Sequence, residues 1–522
     1  MRQAITSGIA AVFGLVLWLA SAAAQAGGDP RVDALQRALD LVEAEDWDGA
    51  TAAASASGDA IVADIVEWHR LRAGKGEVGD YLAFLARRGD WPGLPYLRRK
   101  GEVALETAPA DEVLRFFAYG PPPTAVGALA HARALRSLGR PDEAVASARR
   151  AFLRFPMDAD VEAAIRREFP TAVRGRDWAR LDAMLWKGAR ADAERLLGRV
   201  SPGQAALARA RIMLRAGERG VDAAIEAVPA SLRDDPGLAF ERFRWRVKKG
   251  RGRAAEEILR ARSATADALG RPAAWAPYRR RLAHEAMRAG RWNAAYEMAS
   301  AHHLTEGSAF AELEWLAGYV ALRGQRRPGV AAEHFARFRR AVATPISLGR
   351  GGYWLGRAWE AMGDDERARH FYTEGARHQT SFYGQLAAER AGVPPDPRLA
   401  GNEVFESWRT APFLRSSVLQ AALLLRAAGD TDLSARFFAH LSESLERDEI
   451  GRLLSMILDL GEPYAAVIVG KRAARAGHEL VPGYFPLTRL TEVPLSVPPE
   501  LALAIARRES EFRHQRISPA GA

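Results

Sequence analysis

Glu509 is the residue in this chain whose type and placement best suit chemistry. The stretch from Leu501 to Phe512 follows Pro498-Pro499 and has helical periodicity. At about 100° per residue, Glu509 falls inside the apolar arc formed by Leu501, Ala502, Ile505, Ala506 and Phe512. The two prolines suit a helix start, and Glu500 suits its positive N-terminal end. Arg507 and Glu511 fall outside the arc and form an i,i+4 pair suited to solvent. A carboxyl group facing a core is either paired structurally or held for chemistry. Arg513 and Arg516 are the structural partners within reach. In the chemical reading, desolvation raises the pKa, and the group carries a proton at neutral pH as a general acid.

Other constellations fall short of a site. Gly74-Lys75-Gly76-Glu77-Val78-Gly79 fits G-x-G-x-x-G, but it follows a helical segment, Ala63 to Trp68, rather than a strand, so it is expected to be a helix-linking turn. His284-Glu285 opens like a zinc-protease motif, but position 288 is Arg, which removes the second ligand. His302 and His303 are adjacent and diverge on a helix, and neither has a partner at ligand spacing. Trp315, Trp354 and Trp359 lie in helical segments and are expected in the core rather than on a sugar-stacking platform. No serine nucleophile elbow is present. No metal site and no cofactor are expected.

The elements that must position Glu509 are helices. Ala, Leu, Arg and Glu dominate, and strand formers are sparse. From about residue 31 to 390 the chain reads as helical hairpins: a helix, a short turn with glycine, and an alanine-rich second helix. His131 to Ala144 shows the unit, with Gly139 before Pro141; Ala286 to Trp292 and Trp359 to Glu366 repeat it around Gly290 and Gly363. The pattern resembles a tetratricopeptide-like α-solenoid of irregular register. Val393-Pro394-Pro395-Asp396-Pro397 breaks it, a second helical block runs from about Glu403 to Gly477, and breaks recur at Val481 to Pro486 and Val497 to Pro499.

The chain has 522 residues, 48% of them hydrophobic and 26% charged, which argues against disorder. It has no cysteine, so disulfides and thiolate metal sites are excluded. Arg2, the apolar run Ile9 to Ala20 and Ala24-Gln25-Ala26 read as a signal peptide cleaved after Ala26. The run is short for a membrane span of roughly 20 residues, and no integral membrane segment is expected after cleavage. The net charge of +10 indicates an anionic polymer or surface nearby. Export argues against nucleic acid.

Glu509-Ser510-x-Phe512, followed by Ser518-Pro519-Ala520-Gly521-Ala522, resembles the start of the catalytic domain of soluble lytic murein transglycosylases. Phe310 to Gly318, Tyr353 to Ala358 and Phe382 to Ala387 resemble that family's superhelical region, and Tyr484-Phe485-Pro486-Leu487 its linker. The resemblance covers most of the chain, most clearly after about residue 280.

It implies an all-α fold: a superhelical α-solenoid of helix pairs, U-shaped or ring-like, with a helical linker and the first helix of a lysozyme-like domain. The corresponding boundaries are 1–26 for the signal peptide, 27–392 for the superhelix, 393–486 for the linker and 487–522 for the start of the catalytic domain. The implied function is that of a periplasmic lyase of cell-wall turnover. It cleaves the MurNAc-GlcNAc β-1,4 bond of peptidoglycan and leaves 1,6-anhydroMurNAc ends. Glu509 matches the family's single acid/base, Ser518 a supporting serine, and Ala520 and Gly521 small residues against the sugar. Peptidoglycan glycan strands are the implied partner, together with other cell-wall enzymes. The family motif continues with Gly-Leu-Met-Gln beyond Ala522, so this chain is expected to be a fragment with little activity alone. The alternative reading is a non-enzymatic periplasmic helical-repeat adaptor.

Overall fold

The computed structural model describes residues 28–513 and 517. The expected signal peptide lies outside these, as do Arg516, Ser518, Ala520 and Gly521. Every regular element among the described residues is a helix, and none is long and apolar enough to cross a membrane.

The repeating unit forms for reasons visible in one hairpin. Thr124 caps the helix Ala125–Ser137 by accepting from the Gly127 N–H at 3.2 Å. Gly139, at φ +73°, makes the left-handed turn, and Pro141 opens the return helix Pro141–Arg154. Ala128, Ala132, Ala144, Ala148 and Ala151 are all fully buried, so the two backbones approach closely around Phe152. Further on, the approach is closer still. A Cβ on Gly352 in the helix Pro345–Glu360 would lie 2.6 Å from the Gly375 backbone, so only glycine fits.

Successive hairpins are joined by buried arginines. Arg180 donates to Asp192 at 2.6 Å and to the Phe152 and Phe155 carbonyls at the end of the helix Pro141–Arg154. Arg279 donates to the Met298 carbonyl at 3.1 Å and to Ser263, and burial lowers its pKa to about 10. Helix C-terminal carbonyls are a favourable place for such cations.

The helical succession is interrupted between Ala391 and Ser417 by turns and short 3-10 segments. The helices that follow do not build a core of their own. Their apolar residues, from Trp408 to Leu480, join those of Leu35 to Ala134 in one cluster. Phe437 meets Trp68 and Trp91 edge-on, with ring centroids 5.7 and 5.2 Å apart. Trp91 Nε1 donates to Ser417 Oγ at 3.0 Å, and His440 Nε2 donates to the Asp90 carbonyl at 2.9 Å. The solenoid thus returns on itself, giving the closed scaffold expected of the superhelix. The terminal helix is mounted beside this closure.

Candidate active site

The terminal helix runs Pro499–Glu509, with Ser510 as its C-cap. The Ser510 hydroxyl donates back to the Ala506 carbonyl at 3.2 Å, a supporting role for the helix end. Glu511 and Phe512 then adopt φ of +55° and +64°. Two consecutive left-handed non-glycine residues turn the chain sharply out of the helix at a conformational cost.

That turn overturns the expected solvent pair of Arg507 and Glu511, because i,i+4 geometry does not extend past the helix. Instead, Arg507 Nε donates to the Tyr484 carbonyl at 2.9 Å, and its guanidinium lies 4.7 Å from the Tyr484 ring and 4.5 Å from that of Phe485. Glu511 pairs with Lys471 on the helix Pro463–Arg475. Arg513 pairs with Asp432 on the helix Thr431–Leu441. Three polar contacts therefore bind the helix end to the closure region.

The helix has no fully buried residue. Leu501 is 49% and Ile505 53% exposed, and Glu509 on the same face is exposed as well. Residues 28–513 therefore do not supply the apolar cover that the sequence reading places over Glu509. On the neighbouring face, Ala506, Ser510 and Phe512 line a groove of about 880 Å³, closed on the other side by Leu487 to Val493 and Leu458 to Pro463. An exposed carboxyl group at a helix end beside a groove is within reach of a ligand arriving from outside.

The remaining candidates fall as follows. Gly74, at φ +81°, lies in a turn linking two helices. His284 and Glu285 lie on the helix Pro272–Arg288 without a second ligand. Trp354 is core, while Trp315 and Trp359 pack on its cluster with Arg350 and Arg367 over their rings at 3.3 and 4.4 Å. No group of three or more His, Cys, Asp or Glu placed to hold a metal occurs among the described residues.

His302 and His303 lie in the loop after the helix Trp292–Ser300, not on a helix as expected, and His302 has a buried carboxylate partner. Its Nδ1 accepts from the Leu304 N–H at 2.9 Å, so Nε2 carries the proton donated to Glu314 at 3.2 Å. Glu314 also contacts His334 Nδ1 at 2.6 Å and accepts from Arg337 Nε at 2.9 Å. Burial opposes the charge, but these donors hold the carboxyl down at about 2. Glu314, His302 and the His334–Arg337 pair lie on three separate segments, so no sequence spacing links the acid to its partners; the signal available was an acid inside the apolar run from Leu313 to Val320.

No sequence-family model matches this chain, and no curated protein matches it. Solved structures do. The 70 kDa soluble lytic transglycosylase Slt70 from Escherichia coli superposes with a TM-score of 0.52 at 15% identity, over 95% of this chain and 79% of that one. Its complex with bulgecin A gives the same figures. The lytic transglycosylase Slt of Pseudomonas aeruginosa, in an inactive glutamate-to-glutamine mutant, gives 0.60 at 17% identity, over 93% and 79%. The described chain has the superhelical fold of the soluble lytic transglycosylases.

Proposed function

We propose that this chain carries the scaffold and the acid/base residue of a periplasmic peptidoglycan lytic transglycosylase. The supporting observation is the place of Glu509: an exposed carboxyl at the end of a helix clamped to a superhelix of that enzyme class. The E-S-x-F motif and the glutamate-to-glutamine inactivation of the Pseudomonas relative point the same way.

In this reading the protonated Glu509 donates to the glycosidic oxygen, GlcNAc O4, as its bond to MurNAc C1 breaks and it leaves as a hydroxyl. The resulting carboxylate then takes the proton of the MurNAc C6 hydroxyl while O6 bonds to C1, closing the 1,6-anhydro ring. The nucleophile belongs to the substrate, so a second enzymic carboxylate at glycosidase spacing is not required. Ser518 would orient the acid, while Ala520 and Gly521 would let the backbone approach the sugar. Cover over Leu501, Ile505 and Glu509 would exclude water from the acid.

The test incubates the full-length protein with purified sacculi and follows the products by mass spectrometry. Release of anhydro-muropeptides is expected, and Glu509→Gln should abolish it. Turnover by that variant at the normal rate would overturn the assignment of the acid. Binding without any release would favour the adaptor reading.

A further inference from the structure

The turn between the helices Pro236–Lys248 and Gly252–Arg262 is densely basic. From Arg242 to Arg253, seven of twelve residues are Arg or Lys and none is acidic. Many arginines elsewhere pair with carboxylates, among them Arg31, Arg190, Arg339 and Arg513. Here Arg244 alone pairs with a carboxylate, Glu241 at 3.1 Å, while Arg246 donates to the Arg242 carbonyl at 3.4 Å. No ion pair is recorded for Arg242, Arg246, Lys248, Lys249, Arg251 or Arg253 among the described residues, although Asp222 and Glu257 act on Arg246 through space.

Helix dipoles account for only some of these cations. Arg246 and Lys248 sit in a last helical turn, where the helix dipole favours them. Arg251 and Arg253 sit at the opposite pole, as N-cap and in the first turn of the next helix, where it disfavours them. The corresponding helices Pro141–Arg154 and Asp365–Gly375 open with Asp142 and Glu143, and with Asp365 and Glu366. The cluster is also organised in space. The Arg251 and Lys249 head groups lie 5.0 and 6.0 Å from the Trp245 ring centroid, and Gly250, at φ +70°, sets the turn between them. Mutual repulsion is thus held in place, and a polyanion relieves it on binding.

We infer that this basic corner is a docking site for a polymer bearing closely spaced carboxylates, the peptide-substituted glycan of the wall, separate from the groove beside Glu509. The choice of polymer rests on the proposed function; the site itself rests on charge complementarity.

The experiment measures retention of the chain on purified sacculi by sedimentation, with Glu509→Gln in every sample to prevent turnover. The corner variant carries Lys248→Glu, Lys249→Glu, Arg251→Glu and Arg253→Glu. A control of equal net charge carries Arg115→Glu, Arg140→Glu, Arg190→Glu and Arg367→Glu, at exposed arginines that already have carboxylate partners. Circular dichroism verifies folding of both. The corner variant should bind about tenfold more weakly and lose its salt dependence, while the control keeps most of its affinity. Amidation of the sacculus carboxylates should weaken the parent chain to the same level.

Equal loss in both variants would reduce the effect to net charge and overturn the proposal. So would unchanged binding of the corner variant, or corner-dependent binding to phosphatidylglycerol vesicles but not to sacculi. If no protein form releases anhydro-muropeptides yet retention still depends on the corner, the proposed activity falls and the docking site stands.

Discussion

The closure region and the terminal helix lie side by side but are held by different forces. At the closure, Phe437, Trp68 and Trp91 are almost completely buried, and the contact is apolar packing with hydrogen bonds from Gln36, Trp91 and His440 at its rim. The terminal helix buries no residue fully and is fixed by Arg507, Glu511 and Arg513. Packed apolar area is worth several kcal/mol per large side chain, whereas a half-exposed ion pair is worth about 0–1 kcal/mol. The scaffold is therefore stable without the site, and the site has its place only through the scaffold. A helix clamped by charge at one end and bare along its apolar face is also suited to receive a cover over Leu501, Ile505 and Glu509.

The largest test of this contrast is Phe437→Ala. It opens a cavity between the Trp68 and Trp91 rings and should cost about 3–5 kcal/mol. Amide exchange should accelerate in the helices Ala60–Arg72 and Thr431–Leu441, while Pro141–Arg154 keeps its protection. Uniform acceleration, or none, would show that the closure is not a separate apolar joint.

Within the scaffold, two buried glutamates differ as sharply. Glu314 is held as a carboxylate by His302, His334 and Arg337. Glu102 is almost fully buried and has Thr124 as its hydroxyl donor, and burial pushes its carboxyl up to about 7. The signs follow from linkage. The depressed Glu314 contributes stability that is present above pH 4.5 and lost as pH falls toward about 2. The raised Glu102 has the reverse effect, since the folded state holds its proton longer and stability declines as pH rises from 4.5 through about 7.

Glu314→Gln should cost about 3 kcal/mol at pH 7, because it leaves the His302, His334 and Arg337 donors without a charge to bind. Its penalty should shrink toward pH 2 to 3. Glu102→Gln, a neutral isostere, should flatten the decline between pH 5 and 7. Urea unfolding across pH 3 to 8 reads both; parallel curves for the parent and the variants would refute these roles.

The helical hairpins were legible because they are local. Gly139 before Pro141, and alanines at helical spacing, specify a turn and a close packing face from a few adjacent residues. The closure was expected only as part of a resemblance. Phe437 and Trp91 are each unremarkable apolar residues, and their meeting is a property of the accumulated curvature of the solenoid. At the site, the position of Glu509 on the Leu501–Ile505 face was correct as helix geometry. Its burial was not obtained, because a hydrophobic arc indicates that something covers it without indicating what. The Arg507–Glu511 pairing failed for a local reason, the left-handed turn at Glu511 and Phe512, which no glycine announced.

The smallest expected effect is the one that isolates the terminal helix. Arg507→Ala removes the hydrogen bond to the Tyr484 carbonyl and the contact with the Phe485 ring; Asp432→Asn removes the charge opposite Arg513. Each should change global stability by only about 0–1 kcal/mol, since these groups are partly exposed and screened. Locally the effect should be larger in proportion, because the helix has no buried side chain to replace the lost clamp. Amide exchange in 499–513 should rise in either variant and rise further in the double variant, with the unfolding midpoint nearly unchanged. Raising salt should reproduce part of the Asp432→Asn effect in the parent chain but little of the Arg507→Ala effect, since an ion pair is screened while a hydrogen bond from a guanidinium packed against two rings to a carbonyl is screened less. Unchanged exchange in the double variant would mean that the groove contacts of Ala506, Ser510 and Phe512 hold the helix by themselves. The difference between apolar closure and polar clamp would then be one of degree.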